Sequence, residues 1–208
     1  MNATVYFIDD DEIERRSCLD VLKEIFADTP LSIEALAPLP ALADYTELVN
    51  RGPAGLILDH RLNTSGRVLY SGAELAAHLR AIGSRVPIVI LTNYPDDDFS
   101  AQGWAVERIV QKKNTLRDPT GVAAQEFKLR LLRQIETCGN ILAARERRFN
   151  ELLIKSSRER LTTDEEKELR QLEGERISSV AAAEREKQIR LDAEIESLKK
   201  LLGHEHLL

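Results

Sequence analysis

Five short apolar runs constrain this chain more than any other feature: Val5-Tyr6-Phe7-Ile8, Leu31 to Leu36, Leu56-Ile57-Leu58, Ile88-Val89-Ile90-Leu91 and Ile109-Val110. Most carry β-branched residues, and each is bounded by Asp, Gly, Pro or another polar residue, as strands buried on both faces are. Between them the apolar residues take helical spacing: Ile13 to Phe26, Ala41 to Val49, Gly72 to Ile82, a brief stretch after Pro95 and another beginning near Thr120. The pattern predicts an α/β fold of the (βα)5 type, a doubly wound parallel sheet covered on both faces. Ligands of such sheets bind beyond the carboxyl ends of the strands. The residues that close each strand therefore carry the functional question.

The first run ends in Asp9-Asp10-Asp11, the third in Asp59 and the fourth in Thr92, while the fifth leads into Lys112-Lys113. Taken singly, an Asp caps a helix and a Lys ends an exposed strand. Taken together, and with Asp11 set aside as a helix cap, three carboxylates, a hydroxyl and an ammonium share one sheet edge. Carboxylates 4 Å apart repel by about 4 kcal/mol at an effective dielectric near 20. A hard divalent cation with oxygen ligands, such as Mg²⁺, relieves that repulsion. One carboxylate is then free to act as a nucleophile toward a phosphoryl group, with Lys and Thr stabilising the oxygen charge.

The set, in this order, resembles the receiver domain of two-component response regulators. The likeness spans roughly residues 3 to 137 and rests on VYFIDDDE, GLILDHRL, SGAELAAHLR, VPIVILTN and RIVQKK. It implies Asp59 as phosphoacceptor, Asp9 and Asp10 as the acidic pair for Mg²⁺, and the Arg61 backbone carbonyl as a further metal ligand. It also implies Thr92 as the switch hydroxyl and Lys112 as the phosphate-contacting lysine. A sensor histidine kinase or phosphotransfer protein is the implied donor. Asp11 reads as a helix cap.

The pattern departs from the family at four places. Gly72 lies farther from Asp59 than is usual, which lengthens the loop around Asn63 to Tyr70; Asn63 replaces a habitual Pro; Asn93 follows Thr92 where a small residue is normal; and Ile109 stands where many receivers keep a switch aromatic.

Beyond Pro119 the chain changes character. All seven prolines lie at or before that residue. The excess negative charge behind the net −6 also lies before it, and the remainder is proline-free, charge-alternating and rich in Ala, Leu, Glu, Arg and Lys. This divides the chain into a receiver core over 1–118, whose final helix (about 120–137) continues onward, and a helical extension over 119–208. In the first arm Leu131, Ile135, Cys138, Leu142, Phe149 and Leu152 follow heptad spacing, interrupted by Arg145. Thr163 and Glu166 form a candidate capping box after a break near 161–164. A second arm then runs to about Leu202 with a drifting stripe and Gly203 as its C-cap. Two arms of about 60 Å make a long α-helical hairpin or a coiled coil. A narrow apolar stripe needs a partner. A homodimer through these helices is the expected one, with Phe149 as seam anchor.

Other classes fall away. The longest apolar runs span only a few residues, so no membrane insertion is expected. Cys18 and Cys138 suit neither a disulfide scaffold nor a CxxC site, which points to a reducing cytoplasm. No P-loop motif occurs, His204 and His206 read as a frayed tail, and Trp104 reads as core. No histidine lies between His78 and His204, so the tail is no phosphotransfer bundle. The tail's zero net charge weighs against nucleic acid. A response regulator signalling through helical contacts to an unknown downstream protein is the leading expectation. A phosphate sink without output, and a nucleic-acid-binding transcription regulator, are the alternatives.

Overall fold

The computed structural model describes residues 3–94, 97, 99 and 103–174. Five strands, β1 (Ala3–Ile8), β2 (Leu31–Leu36), β3 (Gly55–Leu58), β4 (Ile88–Thr92) and β5 (Arg108–Gln111), form one sheet in the order 2-1-3-4-5. Every neighbouring pair is parallel. Side chains alternate between the faces with the period of a strand. Val5, Phe7, Ile57, Val89 and Leu91 pack on one side with α1 (Glu12–Ile25) and the start of α5 (Val122–Ser156). Ile8, Leu56, Leu58, Ile88 and Ile90 pack on the other with α2 (Tyr45–Asn50) and α3 (Gly72–Ala81). Burial on both faces is why these runs read as continuous apolar rather than alternating.

Caps place the helices. Asp11 accepts from the Ile13 and Glu14 amides at 2.8 and 2.9 Å, so it caps α1 as expected. Ser71 and Glu74 close a capping box on α3. The predicted segment 41–49 divides into a 3₁₀ turn, Leu42–Asp44, and α2. The helix expected just after Pro95 falls largely outside the described residues, and the 3₁₀ turn Gly103–Ala105 leads into β5. Trp104 in that turn is 69% exposed, which corrects its expected place in the core. Lys112 does not continue β5 but opens a single helical turn, α4 (Lys112–Thr115).

The long loop between β3 and α3 is built into the core. Leu62, Val68 and Tyr70 are buried, and the Tyr70 hydroxyl donates to the Leu39 carbonyl and lies 3.1 Å from the Tyr45 hydroxyl. Gly72 brings the loop back against the sheet: its amide donates to the His60 carbonyl at 2.8 Å. A Cβ there would lie 2.1 Å from the Asp59 carbonyl oxygen. Glycine is required by close approach, wherever along the chain it falls.

Helix α5 runs unbroken for 35 residues through Gly139, about 52 Å at 1.5 Å per residue. Its first part belongs to the sheet: Ala124, Phe127 and Leu131 are buried in the core, with Ile135 packed beside them. Thus the start of the predicted seam packs in the sheet core, on the helix expected to run onward into the tail. The helix ends at Ser156, earlier than the expected break, and residues 163–174 are helical again. The capping box closes between Thr162 and Glu165, one residue before the predicted pair. The arms meet within one chain: Arg148 grips Glu168 with two hydrogen bonds at 3.0 and 2.7 Å, Lys155 binds Glu165 at 2.7 Å, and Leu152 is fully buried. The expected stripe from Ile177 to Leu202, the Gly203 cap, His204 and His206 lie outside the described residues.

Candidate functional site

Three parallel neighbours deliver the acidic and hydroxyl groups to one edge. Asp9 and Asp10 follow β1, Asp59 follows β3, and Thr92 closes β4, which is hydrogen-bonded to β3. The Asp59 amide continues the ladder, donating to the Ile8 carbonyl at 2.8 Å. All four side chains are buried.

Lys112 binds two of them, Asp9 and Asp59, together. It is 3% exposed, and its Nζ lies 2.8 Å from Asp9 Oδ2, 2.7 Å from Asp59 Oδ1 and 3.2 Å from Glu14 Oε1. Burial alone would pull the ammonium down; the Asp59 and Asp9 carboxylates outweigh it and hold the group above the ordinary lysine range. Burial pushes the Asp9 carboxyl up to about 6, with Lys112 opposing that rise but shared with Asp59. The Asp9 Oδ1 also accepts from the Asp11 amide at 2.9 Å, and its main-chain carbonyl accepts from Arg15 at 2.7 Å.

The remaining polar atoms face a cavity of about 270 Å³ lined by Asp10, Asp59, Arg61, Ser65, Asn93 and Tyr94 among others. Asp10 Oδ2 accepts from the Ser65 amide at 2.6 Å, Asp59 Oδ2 accepts from the Arg61 amide at 2.8 Å, and the Arg61 carbonyl accepts from the Thr64 hydroxyl at 3.0 Å. Thr92 Oγ1 accepts from the Tyr94 amide at 3.0 Å, which leaves its own proton to donate. Asn93 turns its amide to Glu14 Oε1 at 3.0 Å. The Arg61 guanidinium lies 3.5 Å over the Tyr94 ring and makes two hydrogen bonds to Asp97 at 3.0 and 2.9 Å.

Asp9, Asp59 and Lys112 are thus in direct contact, and Thr92, Asp10 and Arg61 stand at the same edge. Lys113, the neighbour of Lys112, is exposed. Among the described residues no three His, Cys, Asp or Glu side chains surround one point as metal ligands. Asp10 and Asp59 line the cavity, and with the buried Asp9 beneath them and the Arg61 carbonyl they are nevertheless all hard oxygen donors, the chemistry that suits Mg²⁺.

Three participants escaped the sequence reading. Glu14 lies one helical turn after Asp10 on the cap end of α1, a spacing that could have signalled it. Ser65 and Asp97 reach the site from loops, and no local pattern marks them.

No protein-family model matches the chain, and no curated protein matches it in sequence. Solved structures similar to it include the response regulator TrrA of Thermotoga maritima in complex with Mg²⁺ and BeF, at 19% identity, covering 64% of this chain and 98% of that one, TM-score 0.45. A LuxR-family DNA-binding response regulator of Staphylococcus aureus is similar at 15% identity, covering 64% and 98%, TM-score 0.46. A response regulator receiver domain protein of Clostridium thermocellum is similar at 14% identity, covering 67% and 98%, TM-score 0.46. The fold itself follows from the strand order 2-1-3-4-5 with helices on both faces: it is a doubly wound parallel α/β fold, with the strand order that flavodoxin and receiver domains share. No helix among the described residues is long and apolar enough to cross a membrane.

Proposed function

We propose that the chain is a response regulator that accepts a phosphoryl group on Asp59 and signals through its helical extension. The observation that carries this reading is Lys112, whose buried ammonium contacts both Asp9 and Asp59 at 2.8 and 2.7 Å beside an open cavity. A carboxylate oxygen of Asp59 attacks phosphorus. The donor's P–N bond breaks when it is a histidine kinase or phosphotransfer protein, and its P–O bond when it is a small acyl phosphate. The bonding pair leaves on the imidazole nitrogen or the carboxylate. Lys112 and the Thr92 hydroxyl meet the phosphoryl oxygens. Asp9, Asp10, Asp59 and the Arg61 carbonyl would hold Mg²⁺, which supplies charge neutralisation of those oxygens when bound.

Residues 1–118 carry this chemistry, and α5 joins it to the extension that begins at 119. The output is a protein contact. Ile141, Leu142, Leu153 and Ile154 remain about half exposed on α5 beside the hairpin, which favours a homodimer through these helices over a phosphate sink. Contact with nucleic acid is not part of this reading.

Incubation with a small phosphodonor tests it. Incorporation should require Mg²⁺ and disappear in Asp59→Asn, and Asp10→Ala should weaken Mg²⁺ binding. Undiminished incorporation in Asp59→Asn defeats the assignment.

A further inference from the structure

The two residues that follow Asp59 hold Tyr94, Asp97 and Phe99, which follow β4. Arg61 makes the paired bonds to Asp97 at 3.0 and 2.9 Å and covers the Tyr94 ring at 3.5 Å. His60 stacks on Phe99 with centroids 4.3 Å apart, and its Nε2 lies 3.7 Å from the same Asp97 carboxylate. The Asp97 amide in turn donates to the Tyr94 carbonyl at 3.2 Å. Meanwhile the Arg61 amide donates to Asp59 Oδ2 at 2.8 Å, so the residue is tethered at the phosphoacceptor while it lines the same cavity.

We infer that Arg61 is a relay residue: it exchanges Asp97 for the phosphoryl group once Asp59 is modified, and so unties the segment after β4. This rests on the reading of Asp59 as phosphoacceptor. The reasoning is a competition between two anions for one planar fork. A carboxylate such as Asp97 carries one negative charge, whereas a phosphoryl group carries about −1.5 to −2 and three strong acceptor oxygens. Guanidinium binds both with two parallel hydrogen bonds, so geometry does not discriminate and charge does. The Arg61 side chain is 44% exposed, so the exchange strips little water from it. Asp97 is left beside His60 Nε2, which can take up one of the vacated acceptor positions.

Trp104, the only tryptophan of the chain, sits exposed a few residues downstream of Asp97 in the turn before β5. It reports on this segment without labelling. In the full-length chain, occupancy of Asp59 is measured by radiolabelled phosphate from acetyl phosphate, and the conformational response by Trp104 emission and by the ¹⁵N resonance of Arg61 Nε, assigned through Arg61→Lys. The wild type should show a shifted Arg61 Nε resonance and a changed Trp104 emission on phosphorylation. Asp97→Ala should take phosphate yet show the displaced emission beforehand, with its response cut several-fold. Arg61→Gln, compared at equal Asp59 occupancy, should lose most of the response. Incorporation with an unmoved Arg61 resonance, or with full emission responses in both variants, overturns the relay and leaves the phosphoacceptor standing. Absence of incorporation in the wild type overturns the phosphoacceptor, and the relay with it.

Discussion

Replacing Asp9 by Asn should stabilise the protein in the absence of divalent cations, although it deletes half of a buried ion pair. The carboxyl is 1% exposed, and its single cationic neighbour is shared with Asp59. In the folded chain it titrates near 6, against an ordinary value of 3.8 that the unfolded chain retains. The folded state therefore binds this proton more tightly. The stability it contributes is fully present below about pH 4 and is lost as the pH rises through 6. At roughly 1.4 kcal/mol for each tenfold difference in proton affinity, the ionised carboxylate costs about 3 kcal/mol at neutral pH. Asn stands in for the neutral acid, while Lys112 keeps Asp59 and Glu14. Urea unfolding in EDTA at pH 7.5 should show Asp9→Asn ahead by about that amount, the advantage shrinking below pH 6 and vanishing near pH 4. Added Mg²⁺ should narrow the difference at pH 7.5, because binding to the native wild type stabilises it by mass action. A variant less stable than wild type at pH 7.5, or an advantage that is constant across the pH range, refutes the reasoning.

Gly72→Ala should destabilise by about 1–3 kcal/mol, since a methyl group 2.1 Å from the Asp59 carbonyl oxygen forces backbone to move; it should weaken Mg²⁺ binding too, and unchanged unfolding and binding curves would disprove the close approach. In the extension, Ile154→Glu places a charge on an α5 face that is half exposed in the single chain. Sedimentation should show the wild type as a dimer and the variant dissociating at least tenfold more readily, about 1.4 kcal/mol. Equal monomeric behaviour of both at micromolar concentration refutes the dimer.

The sheet was legible because the central strands β3 and β4 are buried on both faces and each apolar run is bounded by a polar residue or Pro. Even the acidic edge could be read, since β1, β3 and β4 are hydrogen-bonded neighbours whose polar residues fall immediately after the last apolar one. What escaped depends on distance rather than pattern. The Arg61–Asp97 tie joins residues 36 apart, and Ser65 meets Asp10 across 55. Nothing within a turn or strand announces either pairing. Trp104 misled because a large aromatic beside a strand usually packs, while here its 3₁₀ turn presents it to solvent. The heptad stripe has two uses. Leu131 and Ile135 have the spacing of a coiled-coil seam, yet a helix covering a sheet needs the same apolar stripe. Periodicity identifies the buried face but not what buries it.

That double use of α5 bears on how the extension is connected to the site. Lys112, the residue in contact with Asp9 and Asp59, is the first residue of α4, and this turn packs against α5. Thr115 is buried within it and Leu116 joins the core cluster that contains Phe127 and Leu131. Any change that moves Lys112 toward a new anion on Asp59 therefore acts on a turn seated against the first part of α5. From there no proline or loop intervenes before Ser156, so a tilt imposed at Leu131 is carried by continuous backbone hydrogen bonds to Leu152 and the Arg148–Glu168 pair. A lever arm of that kind converts a small displacement at the sheet into a larger one at the hairpin. It also explains why a truncation after residue 118 is a poor test of the extension: it would strip Ala124, Phe127 and Leu131 from the core and expose the sheet face they cover. Point substitutions on the far half of α5 leave that core whole and isolate what the hairpin contributes.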